Sequence, residues 1–154
     1  MREEYLARMK RIAFIGGKIA LKRITHSAHS LKADRSVLTQ ADVEISNFSR
    51  GAINDLLKTS DHILIDEEDI ESSQYLDPSY LEATPFIWVI DPIDGTRAFS
   101  NGMPNFGISI GLLKDLKPWL GVVYFPMLGE LFYCDGKQSF FVCNAFTECK
   151  KSTV

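Results

Sequence analysis

The spacing of the apolar residues changes once along this chain, near Ser60, and that change constrains the fold more than any other feature. Before it, Tyr5, Met9, Ile12, Gly16 and Ile19 recur three and four positions apart, which predicts a helix over about residues 3–24 with one buried stripe. Thr25 to Ser36 is polar and aperiodic. Thr39-Gln40-Ala41-Asp42 then has the form of a capping box, and Ile45, Phe48, Ala52, Ile53 and Leu56 make the stripe of a second helix. After Ser60 the runs are short and β-rich: His62 to Ile65, Phe86 to Ile90, Gly107 to Leu113, Trp119 to Phe125, Glu130 to Cys134 and Ser139 to Cys143. Asp115 to Pro118 and Pro126 to Gly129 read as hairpin connections, because Pro and Gly suit the dihedrals of tight turns. Strands joined without long helices favour antiparallel pairing, so the expected fold is α+β, two N-terminal helices packed on a mainly antiparallel sheet.

With 154 residues, 45% of them apolar, the chain is sized for one domain. Seventeen basic residues against 20 acidic ones give a net charge of −3 and no basic stripe, which argues against nucleic acid as a partner. The longest apolar run, Leu120 to Leu128, contains Gly121 and Pro126 and falls short of the roughly 20 residues that span a bilayer. Glu3 and Glu4 stand where an export signal carries positive charge. Cys134, Cys143 and Cys149 are odd in number and contain no C-x-x-C pair, so the chain is expected in a reducing cytoplasm, away from membranes.

The chemistry concentrates in Trp88-Val89-Ile90-Asp91-Pro92-Ile93-Asp94-Gly95-Thr96. An apolar strand runs into Asp91, and Pro92 is expected to end it in a turn that lets Asp91 and Asp94 converge. Two carboxylates with a carbonyl between them make a hard oxygen site suited to Mg²⁺. Gly95 and Thr96 then offer backbone N–H groups at the start of a helical turn, a place for an anion beside the metal. A second acidic run, Asp66-Glu67-Glu68-Asp69, follows Ile63 to Ile65 at another strand end. If the two strands are neighbours the carboxylates meet, and their repulsion calls for divalent cations.

Asp91-Pro92-Ile93-Asp94-Gly95-Thr96, followed by Phe99 and Pro104, resembles the signature of the inositol monophosphatase family, Mg²⁺-dependent and lithium-sensitive phosphatases with a layered sugar-phosphatase fold. Leu38-Thr39-Gln40-Ala41-Asp42 is similar to the family's Val-Thr-x-x-Asp, and Ile65-Asp66-Glu67-Glu68 to its Gly/Ser-Glu-Glu. The resemblance implies that Glu67, Asp91, the Ile93 carbonyl and Asp94 are metal ligands for two or more Mg²⁺ ions. By the same resemblance Asp94, Gly95 and Thr96 hold substrate phosphate, and Asp42 stands behind the ligands. It further implies in-line attack by a water that the ions hold and that Glu67 and Thr96 polarise, with Glu67, Thr96 and Asp42 as the catalytic group and no phosphoenzyme. Glu68 is the less certain carboxylate. Asp42 has a structural account too, as the acid of the capping box. Lys32 resembles a family lysine near the phosphate site, but an exposed lysine explains it as well, and it stays outside the catalytic set.

The likeness covers residues 1–144, and Ala145 to Val154 form an atypical tail with the character of a truncation or frameshift product. The family's second half, with a Trp-Asp-x-Ala-Ala segment that gives a further metal ligand, has no counterpart: neither Trp88 nor Trp119 precedes an aspartate. Its absence is expected to leave sheet surface bare, to favour a homodimer or association with a C-terminal half, and to put the second metal in doubt. The implied function is a Mg²⁺-dependent phosphomonoesterase for a small phosphorylated metabolite, with inositol monophosphate as the default. Histidinol phosphate, fructose 1,6-bisphosphate and 3′-phosphoadenosine 5′-phosphate are the alternative substrates. The rival class is a truncated, inactive half-domain that binds metal or a partner. Gly107-Ile108-Ser109-Ile110-Gly111 fits a nucleophile elbow only in letters, since it reads as continuous strand and no histidine follows it. His26-x-x-His29 lacks a third ligand, and the usual nucleotide-binding glycine loops are absent.

Overall fold

A computed structural model of the chain describes residues 1–24, 29–31, 37–69, 77–143 and 152–153. Lys32, Asp34, His26, Cys149 and most of the tail lie outside the described residues. The first helix, α1 (Arg2–Arg23), buries Tyr5, Leu6, Met9, Ile12, Ala13, Gly16, Gly17 and Ala20 along one stripe. Glu3 and Glu4 in its first turn and Lys22 and Arg23 in its last oppose the ends of the helix dipole. A two-stranded antiparallel hairpin, β1 (His29–Leu31) with β2 (Val37–Thr39), occupies part of the segment whose sequence showed no period. Thr39 then caps α2 (Gln40–Ala52) through the expected box. Its Oγ accepts from the Asp42 N–H at 3.3 Å, and Asp42 Oδ2 accepts from the Thr39 N–H at 2.8 Å. Ile53 interrupts the helix before the short α3 (Asn54–Leu57).

The remaining strands form one sheet in sequence order: β3 (His62–Asp66), β4 (Phe86–Asp94), β5 (Gly107–Lys114), β6 (Lys117–Phe125), β7 (Glu130–Cys134), β8 (Ser139–Val142) and β9 (Ser152–Thr153). Every neighbouring pair is antiparallel except β3 and β4, which run parallel with His62 opposite Phe86 and Asp66 opposite Ile90. The connection over residues 67–85, which contains α4 (Pro78–Ala83), supplies the crossover that a parallel pair needs. The sheet is thus mainly antiparallel, as expected, with this one parallel pair.

Helices α1 and α2 pack together, α1 against β5 and β6 and α2 against β4. The core lies between these layers, where Met9 and Ile12 meet Trp88, Ile90, Ile108, Leu112, Val122 and Tyr124. At its β3 end Tyr5 stands edge-on to the rings of His62, Phe86, Trp88 and Trp119. The alternate residues of the central strands point to the other face. That face bears an open trough of about 550 Å³, lined by Val89, Gly111, Gly121, Val123 and Phe132 among others. Val89 and Phe132 remain 38% and 40% exposed, so the sheet surface expected to be bare is apolar. Among the described residues no helix is long and apolar enough to cross a membrane.

Candidate metal and phosphate site

The parallel pairing of β3 with β4 sends both strands in one direction and brings their carboxyl-terminal ends together. Glu67, the first residue past β3, donates its N–H to the Ile90 carbonyl at 3.1 Å, which sets it next to Asp91. Strand β4 does not stop at Pro92, as its sequence suggests, but continues to Asp94. Opposite β5, Asp91 pairs with Ser109 and Asp94 with Gly107, so two residues of β4 face one of β5. Such a bulge tolerates Pro92, which has no N–H to contribute to the ladder. It also adds one residue to the count, so Asp91 and Asp94 share a side that three-residue spacing in a regular strand would deny them.

After Asp94 the chain turns at Gly95, whose φ of +92° lies in the left-handed region. A Cβ here would come within 3.0 Å of the Asn105 carbonyl oxygen, so the position demands glycine on two counts. Gly95 caps the short helix α5 (Thr96–Ser100), and Thr96 Oγ donates to the Ile93 carbonyl at 3.0 Å. The Ile93 side chain is buried with Phe99 and Phe106, which anchors the turn. Asp94 and Glu67 are exposed, and Thr96 is half-buried.

The charge distribution is strongly one-sided. Burial raises the pKa of Asp91 well above the usual carboxylate range; the Glu67 carboxylate adds to this by repulsion and by hydrogen bonding, and Asp94 and Asp42 add smaller repulsions. Asp91 Oδ1 is buried with no hydrogen-bond partner. Asp42 is fully buried at the start of α2, with Oδ2 held by the Thr39 N–H and, at 2.5 Å, by the Thr39 hydroxyl. Its capping role is thus realised, and its charge still reaches Asp91. Glu67, Asp91, Asp94 and Asp42 therefore belong to one electrostatic unit. Among the described residues no three acidic, histidine or cysteine side chains close into a ready cage, and the carboxylates' mutual repulsion opposes one. A buried, unpaired carboxylate oxygen beside a second carboxylate is nevertheless the kind of donor that a hard divalent cation takes.

The acidic run of β3 divides its work more finely than its sequence suggests. Asp66 is buried, and burial raises its pKa against the lowering effect of hydrogen bonds from Ser46 and the Glu68 N–H. Asp69 forms an ion pair with Arg50. Ser46 and Arg50 went unremarked in the sequence, although they continue the four-residue spacing of Asp42 along α2. A polar stripe of this kind on an otherwise amphipathic helix was the available signal. The Ser109 candidate lies inside β5, in line with its reading as plain strand.

Comparison with known proteins agrees with this fold. The model of the inositol monophosphatase family matches residues 1–153. The quinic acid degradation cluster protein x of Neurospora crassa is 39% identical over 103 residues, 66% of this chain and 30% of its own length. The 3′(2′),5′-bisphosphate nucleotidase CysQ of Haemophilus influenzae is 30% identical over 138 residues, 88% of this chain and 49% of that protein. Among solved structures, the Thermotoga maritima IMPase superposes with a TM-score of 0.73 at 25% identity, covering 92% of this chain and 51% of that one. The chain spans about half the length of these relatives, or less. A match that runs from the first helix through the bulged strand to the final hairpin makes the chain a member of the inositol monophosphatase family.

Proposed function

We propose that this chain is the metal- and phosphate-binding half of a Mg²⁺-dependent phosphomonoesterase acting on a small phosphorylated metabolite, with inositol monophosphate as the first substrate to offer. The observation that carries this reading is the placement of Glu67 beside Asp91, whose Oδ1 is buried and unpaired at the start of the Asp91 to Thr96 signature. Glu67, Asp91, the Ile93 carbonyl and Asp94 would hold Mg²⁺. Bound there, the ion would neutralise this charge and lower the pKa of water.

The chain's own residues would do the rest. The N–H groups at Gly95 and Thr96 orient a phosphate, since the first turn of a helix leaves its donors unsatisfied. Thr96 spends its hydroxyl proton on the Ile93 carbonyl, so its oxygen is left to accept a hydrogen bond from the attacking water. Glu67, exposed at the strand end, would take the proton that the water gives up. Asp42 stands behind Asp91 and is held there by Thr39.

Because the relatives are about twice as long, a second reading has support: an inactive half-domain that keeps the metal but lacks groups needed for turnover. Phosphate release should be followed across a Mg²⁺ titration with inositol monophosphate, histidinol phosphate, fructose 1,6-bisphosphate and 3′-phosphoadenosine 5′-phosphate. The last three are suggested by relatives named for such activities. The enzyme reading expects Mg²⁺-dependent release that drops by about 100-fold or more in Asp91→Asn. A folded chain that releases no phosphate from any of the four would leave the half-domain reading.

A further inference from the structure

We propose that Asp66 is a positioning residue that sets the Glu67 carboxylate, and that a polar stripe on α2 holds it in place. The proposal rests on the metal-site reading for what Glu67 does. Asp66 is the last residue of β3 and is 2% exposed. Its Oδ1 accepts the Glu68 N–H at 3.1 Å, its Oδ2 accepts the Ser46 hydroxyl at 2.6 Å, and its backbone carbonyl accepts the Asp69 N–H at 3.1 Å. With the Glu67 N–H fixed on the Ile90 carbonyl, the peptide groups on both sides of Glu67 are tied down. The direction in which its side chain leaves the backbone follows from those ties.

The far end of the same turn is held by Arg50, which pairs with Asp69. Ser46 and Arg50 are one helical turn apart on α2, and Asp42 precedes them by the same interval, so one stripe of the helix faces the acidic strand ends. Core packing alone gives no reason for a carboxylate at position 66. Burying one is costly unless hydrogen bonds compensate, and here it stands close to further negative charge. The bonds that compensate it are those that shape the Glu67 turn.

Mn²⁺ titration of the full chain, read by loss of the free-ion EPR signal, tests the proposal with thermal unfolding as a check on folding. Asp66→Ala should weaken binding by about tenfold or more, the range seen when groups that orient metal ligands are removed. Asp66→Asn should stay within about threefold of the parent, because its carbonyl still accepts the Glu68 N–H and its amide can donate to Ser46. Ser46→Ala should fall between the two. Parent-like binding by Asp66→Ala overturns the proposal, as does an Asn variant as weak as Ala, which would make charge rather than hydrogen bonding the contribution. If Asp66→Ala does not fold, Ser46→Ala decides: weakened binding with a parent-like Asn supports the proposal, and parent-like binding overturns it. Asp91→Asn reports separately on the site. If that change leaves Mn²⁺ affinity intact, or the parent binds none, the metal reading fails and this proposal with it.

Discussion

The buried ring of His62 shows how single residues set the limits of this fold. Trp88 Nε1 can only donate, so the 3.1 Å contact makes His62 Nδ1 an acceptor and leaves its proton on Nε2, facing the Tyr5 hydroxyl at 3.2 Å. Burial lowers the His62 pKa; Asp61 and Asp55 oppose this, and Arg8 reinforces it. The folded state therefore keeps the ring neutral at a pH where the unfolded chain, with a pKa of about 6.5, takes up a proton. Stability is complete above that value and should fall as pH drops from about 6.5 toward the lower folded pKa. Thermal midpoints measured between neutral and mildly acidic pH should show this slope in the parent and a flatter one in His62→Gln. An unchanged slope in that variant would remove His62 from the account.

Among the elements, α1 is fitted to the sheet most tightly at Gly17. A Cβ added there would lie 2.5 Å from Tyr124 Cε1, and Tyr124 is itself only 1% exposed, so the ring has little room to retreat. Helix propensity alone would make Gly17→Ala stabilising by about 1 kcal/mol, while overpacking costs about 1–3 kcal/mol. The clash should win and lower stability. Gly51→Ala, with nothing within 4 Å of the added Cβ, should instead raise it by up to about 1 kcal/mol. Urea unfolding of the two variants gives the comparison, and equal signs would refute it. The sequence showed what is local: the α1 stripe, the Thr39–Asp42 box and the alternation in the central strands all depend on residues a few positions apart. It did not show the parallel register of β3, which depends on residues more than 20 positions away, nor the bulge at Pro92, which depends on what β5 presents opposite. The turn between β5 and β6 falls at Asp115 and Leu116, within the connection read there from the sequence, although neither residue, at φ of 50° and 60°, is a glycine. Hence the candidate ligands were legible by type, while the means of bringing Glu67 to Asp91 and the part taken by Ser46 and Asp66 were not.

For the molecule as a whole, the β4 to β8 ladder and the single parallel strand differ in how their ends must find each other. Each antiparallel pair in that ladder is joined by a short local turn or connection, whereas β3 and β4 pair in parallel across 19 intervening positions, 67–85. Such a closure costs entropy before any contact repays it, and among the described residues β3 sits at the sheet edge beside β4 alone. The amides of residues 62–66 should accordingly exchange with deuterium through a smaller opening free energy than those of β5 and β6, as native-state hydrogen exchange can measure. Equal protection in the three strands would contradict this. The same strand delivers Glu67, so one of the four candidate ligands comes from the edge of the sheet and the other three from β4. On the proposed reading folding and metal affinity would be linked: a cation held by Glu67 and Asp91 would also clasp the one parallel seam of the sheet.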